Sequence, residues 1–131
     1  MKIIADTNVL ARAILQDDAV QCRAARKVLT DASLIAVSLP SLCELVWILR
    51  QGAKLPKNDV ATAIRALLGT SNVIMNRSAV EAGLALLQSG GDFAVGVIAH
   101  EGTWLDEETF VSFDKKAVSL LKKQEKKTRL L

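Results

Sequence analysis

At 131 residues, half of them hydrophobic, the chain has the length of one domain and is too apolar to be a disordered or charged tail. Aromatic residues make up only 4% and tyrosine is absent, which requires an aliphatic core and argues against nucleic-acid binding by rows of stacked aromatics. The net charge of +3 is modest, and no apolar run approaches the ~20 residues of a membrane span.

The N-terminal stretch "MKIIADTNVLARAIL" is apolar, but Asp6 and Arg12 interrupt it, so it does not read as a signal peptide and a cytoplasmic location is expected. Lys2–Ala5 is a short apolar run ending at an acid, as a buried parallel strand would. Thr7–Leu15 carries apolar residues at helical spacing, and Asp17–Asp31 repeats the pattern behind two leading aspartates. Cys22 and Cys43 fall in helical patterns without a CxxC pair and read as reduced core thiols.

"LIAVS" (34–38) predicts a second strand, and Pro40 starts a helix through Arg50 that stops near Gly52. Pro56 and Asn58 open a helix to Leu68, closed by Gly69. "NVIM" (72–75) is a third strand, and Ser78 with Glu81 suggests a capping box for a helix through Ser89. "GGDFAVGVIAHEG" (90–102) gives another helix and "TFVSF" (109–113) a fourth strand. Lys115–Lys127 is the last helix, with "TRLL" a fifth strand. Strands alternating with helices, and apolar without a polar face, predict one α/β domain with a parallel sheet covered on both sides.

In such sheets function gathers at the carboxyl ends of the strands. Asp6 follows the first strand and Asp114 the fourth; each also precedes a helix, so capping is the plainer role. Glu44, in "SLCELVWILR", has apolar neighbours on nearly every side, and burial there demands a partner or a metal; an exposed position is the alternative. Asp92 opens its own helix. Acids gathered without a basic neighbour repel one another unless a divalent cation neutralises them, and hard oxygen donors suit Mg²⁺ or Mn²⁺. His100 is the single histidine and reads as structural or exposed, with no nucleophile elbow in the chain. From Lys115 to Arg129 seven basic residues face one acid, either a solvated helix face or a surface for phosphates or an acidic partner.

Four segments, "IIADTNVLARAIL", "LCELVWIL", "GGDFAVGVIAHEG" and "TFVSFDKKAVSLL", resemble in content and order the motifs of PIN-domain ribonucleases, most nearly the VapC-type toxins of bacterial toxin–antitoxin (VapBC) pairs. The resemblance spans nearly the whole chain. It implies a three-layer α/β/α sandwich with a mainly parallel central sheet of four or five strands, and an Mg²⁺- or Mn²⁺-dependent endoribonuclease, often a homodimer. A VapB-type antitoxin would insert a C-terminal segment into the acidic cleft, and operator DNA would be contacted only through that antitoxin. Carried over by position, the catalytic and metal-site acids are Asp6, Glu44, Asp92 and Asp114. Asn8 and Ser112 are the small polar residues beside them, and Lys115 and Lys116 are candidates for contact with the RNA backbone.

One position departs from the family. Its members carry an acid, two residues and a second acid, usually a principal ligand; here Asp92 is followed at that spacing by Val95. Either the carboxylate is lost and the chain binds its partner but cleaves poorly, or Asp92 takes over as ligand. The first is the expectation. A non-catalytic antitoxin-binding module with the same fold is the alternative. A phosphoreceiver domain fits less well, since it needs an acidic pair after the first strand and an aspartate where Asn76 and Arg77 follow the third.

Overall fold

A computed structural model describes residues 1–105 and 109–131. Its contacts divide the chain into two compact units, Met1–Asn76 and Arg77–Leu131. Both are α/β, and every strand pairing among the described residues is parallel.

In the first unit β1 (Lys2–Ile4), β2 (Leu34–Ala36) and β3 (Val73–Ile74) form a sheet in that spatial order. The register aligns Ile3, Ile35 and Val73 in one row and Ile4, Ala36 and Ile74 in the next. Side chains alternate across a strand, so the two rows face opposite ways. Ile35 and Val73 are buried, whereas Ile4 is 83% and Ile74 53% exposed. Continuous apolar sequence therefore does not mean cover on both faces within this unit.

The crossovers are α1 (Thr7–Leu15) with α2 (Ala19–Asp31), then α3 (Leu39–Trp47) with α4 (Lys57–Leu68). Three of these four helices start at a side-chain cap. Asp6, Asp18 and Ser38 accept hydrogen bonds from the first backbone N–H groups of α1, α2 and α3, and Pro40 sits at the first turn of α3, where it forfeits no bond. Leu10, Leu42, Leu45, Leu49, Val60 and Ile64 are essentially inaccessible and form the core; complete burial of such a side chain stabilises by about 1.5–3 kcal/mol. The helical run ends at Gly52, as the sequence suggested, but beyond Trp47 it is no longer α-helical. Ile48–Gly52 widens into a π-helical turn, closed by Ala53 N–H donating to Ile48 O at 2.9 Å, and Lys54 then reverses the chain at φ 60°.

The second unit contains α5 (Arg77–Gln88), α6 (Phe93–Trp104), β4 (Thr109–Ser112), α7 (Lys115–Lys123) and β5 (Lys127–Leu130), with β4 paired to β5. The helix α5 starts at Arg77, so Ser78 lies inside it and is not the N-cap of the expected capping box; Asn76 stands before the helix. The last helix is shorter than its lysine-rich sequence suggests, because Glu125 adopts φ 65° and Lys127 joins β5.

The helices α5 and α6 pack closely because Gly96 permits it. A Cβ there would lie 2.6 Å from Ala82 O and 2.9 Å from Gly83 Cα. Val80, Leu84, Phe93, Val97 and Leu121 complete this core. Cys22 and Cys43 are both thiols, as expected, the first buried and the second half-buried. Among the described residues no helix is long and apolar enough to cross a membrane.

Candidate functional site

In the first unit Asp6 leaves the carboxyl end of β1 and caps α1, its Oδ1 accepting from Thr7 N–H at 2.8 Å. The buried Thr7 hydroxyl donates to Ser41 O at 3.4 Å, which ties this cap to the first turn of α3. Glu44 stands three residues beyond Ser41 on the same helix. Strand ends and this tie thus place Asp6 and Glu44 on elements anchored to each other.

Glu44 is solvent-exposed, and its carboxylate makes no hydrogen bond or ion pair with another described residue. The expectation of a carboxylate crowded by apolar neighbours gives way to its alternative. The buried stripe of α3 is Leu42, Leu45 and Val46, and Glu44 looks outward beside Trp47, itself 64% exposed. Asn8, also exposed, lines a cleft of about 480 Å³ between α1 and α2, together with Val9, Arg12, Gln21, Ala24 and Val28.

In the second unit Asp92 caps α6, its Oδ1 accepting from Ala94 N–H at 3.1 Å. Gly91 beside it fits against Leu120 and Leu86, where a Cβ would come within 2.7 Å of Leu120 Cδ1, so the loop carrying Asp92 rests on α7. Val95 is half-buried in the first turn of α6, three residues after the cap and one helical turn from it.

Asp114 caps α7 more completely. Its Oδ1 accepts from Lys116 N–H at 3.0 Å and Ala117 N–H at 3.1 Å, while its own N–H donates to Ser112 Oγ at 2.9 Å. Ser112 thereby holds the backbone of the acid it was expected to accompany.

Asp6, Asp92 and Asp114 are thus all helix caps, the plainer of their two expected roles. Each uses only Oδ1 for this, and Oδ2 of each has no hydrogen-bond partner among the described residues. Capping and ligation are compatible on one carboxylate. Within neither unit do the described residues include three His, Cys, Asp or Glu side chains grouped to hold a metal ion.

His100 has the structural role expected of it. Trp104 Nε1–H donates to its Nε2 at 3.0 Å, and Ser78 Oγ lies 3.2 Å from the same nitrogen. An indole N–H only donates, so Nε2 accepts and the ring proton of the neutral form sits on Nδ1.

Three exposed aromatics escaped the sequence reading, Trp104 and, near candidate acids, Trp47 beside Glu44 and Phe113 beside Asp114, the last 80% exposed. For Trp47 and Phe113 the signal was present as an aromatic near a candidate acid in a chain with few aromatics. No family model and no curated protein matches this chain.

Proposed function

We propose that this chain is the toxin component of a type II toxin–antitoxin system, a VapC-like PIN-domain endoribonuclease dependent on Mg²⁺ or Mn²⁺, in which Val95 leaves cleavage weak or absent. The observation that carries the reading is the ordered resemblance of four motifs along the chain. Consistent with it, Asp6 and Asp114 each follow the carboxyl end of a parallel strand and keep one carboxylate oxygen without a hydrogen-bond partner among the described residues. In this reading the strands belong to one PIN-like α/β/α sandwich, the protein is cytoplasmic and homodimeric, and a VapB-type antitoxin blocks the acidic cleft.

Carboxylate oxygens are the donors that Mg²⁺ and Mn²⁺ take, so the donor chemistry of these acids suits the ion. The bound ion supplies Lewis acidity and neutralises charge at the attacked phosphate. In this reading Asp6 and Asp114 would be its principal ligands and Asp92 would be peripheral, one turn before the position the family fills with acid. Glu44, exposed and unpaired among the described residues, orients the attacking water and accepts its proton. Water oxygen bonds to phosphorus, the bond to the 3′ oxygen breaks, and that oxygen gains a proton, leaving a 5′-phosphate and a 3′-hydroxyl.

Mn²⁺ titration followed by electron paramagnetic resonance tests this assignment without relying on turnover. Val95→Asp should tighten Mn²⁺ binding by roughly tenfold or more, and adding Asp6→Asn should reverse the gain. Equal, weak binding by all three proteins would remove the metal site from the account. Val95 itself favours the second reading, a non-catalytic antitoxin-binding module, which expects no cleavage even when the carboxylate is restored.

A further inference from the structure

The basic residues of the C-terminal region are spatially ordered. At about 100° per residue, Lys115, Lys116, Lys122 and Lys123 of α7 fall within an arc of roughly 120°, opposite the buried Ala117 and Leu121. Exposed Ser119 lies at the centre of that arc. The helix contains no acid, and none of its four lysines forms an ion pair or side-chain hydrogen bond with a described residue.

Helix stability does not explain this stripe. Lys122 and Lys123 suit the carboxyl end of a helix, but Lys115 and Lys116 stand in the first turn, where the helix dipole disfavours a cation. Two residues before Lys115, Phe113 keeps 80% of its surface in solvent.

We infer that the lysine face of α7, with Phe113 at its amino-terminal end, binds single-stranded RNA: the ammonium groups follow the phosphates and the phenyl ring stacks on one unpaired base. The choice of RNA rests on the nuclease reading above, and the surface lies next to Asp114, one of the acids assigned there. The combination favours single strands over the other polyanions. A lysine stripe serves any of them, but an exposed phenyl ring adds base stacking only where a base face is free, which a duplex and a polyglutamate chain do not offer. Ser119, small and uncharged at the centre of the arc, leaves room for a backbone to cross.

The test is fluorescence anisotropy on the full chain in EDTA, with a labelled ~12-nucleotide oligouridylate, a duplex RNA of equal length and a polyglutamate peptide as probes. Salt is varied between about 50 and 400 mM. The single strand should bind most tightly. Replacing the four lysines by glutamine (K115Q/K116Q/K122Q/K123Q) should flatten the slope of log affinity against log salt by about 2.8, or roughly 0.7 for each phosphate no longer neutralised by a lysine. Phe113→Ala should weaken binding about 5- to 150-fold and leave the slope unchanged.

All substituted side chains are solvent-exposed, and a melting curve for each variant verifies that folding is retained. The inference fails if the fourfold variant keeps the parent's affinity and slope, if the parent binds no single strand, or if duplex or polyglutamate is preferred. Polyglutamate preference would assign the face to an acidic protein partner. Because binding is read in EDTA, each of these failures leaves the metal-dependent cleavage reading standing, and that reading's failure leaves the binding result intact.

Discussion

The helices α6 and α7 begin alike and continue differently. Each follows a loop with an aspartate cap, yet Asp92 accepts one backbone N–H whereas Asp114 accepts two and has its own N–H held by Ser112. After the cap, α6 turns apolar at Phe93, Val95 and Val97 and presses Gly96 against α5; α7 presents lysines to solvent around a narrow buried edge. A capping aspartate is therefore a shared structural device. What distinguishes the two is the face each helix then carries, apolar in α6, where Val95 stands one turn past the cap, and lysine-bearing in α7.

The largest effect on stability should come from α6. Gly96→Ala forces a methyl group into the Ala82 carbonyl and should cost about 3 kcal/mol, whereas Ser119→Ala on the exposed face of α7 should be neutral or slightly stabilising. Urea denaturation reads both, and an unchanged midpoint for Gly96→Ala would contradict the close approach of α5 and α6.

The caps come next. Asp114→Ala should cost about 1–2 kcal/mol and Asp92→Ala about half as much, because one gives up two accepted hydrogen bonds and the other gives up one. The reverse order in thermal melts would break the comparison.

A finer division separates capping from ligation. Asparagine caps about as well as aspartate, so Asp114→Asn should change stability by less than ~0.5 kcal/mol. In a Val95→Asp background the same change should nonetheless reduce Mn²⁺-dependent RNA cleavage by orders of magnitude, since an amide is a poorer ligand than a carboxylate. Equal activity of the two proteins would leave Asp114 as a cap alone.

A small stability effect is also expected of Val95→Asp itself. An acid in the first turn is favoured by the helix dipole by about 0.3–1 kcal/mol, offsetting the apolar burial that a half-buried valine supplies. Its midpoint should therefore move little. A large drop in stability would show that residue 95 is needed for packing.

Much of this was legible in the sequence where the cause is local. The bounds of α1 follow from Asp6 and the apolar spacing that runs to Leu15, and each capping acid falls at a helix start as its sequence position implies. What escaped depends on distant partners. The π-helical turn at Ile48–Gly52 has no sequence mark beyond Gly52, and α7 ends early because Lys127 pairs with Thr109 in the sheet. Ser78 with Glu81 imitates a capping box, but the helix starts one residue before Ser78. Glu44 looked crowded because its sequence neighbours do not show that one edge of a helix can stay open, and the structure gives that edge to Glu44 and Trp47. The strand-end positions of the acids could be read from the sequence; their exposure and the single oxygen each commits could not.

The most direct test is RNA cleavage in Mn²⁺ by two purified proteins, this chain and its Val95→Asp variant. The account expects cleavage by the variant, abolished by EDTA, and little or none by the parent. Equal cleavage by both would contradict the ligand assignment and give Asp92 the missing role, and cleavage by neither would favour the antitoxin-binding module.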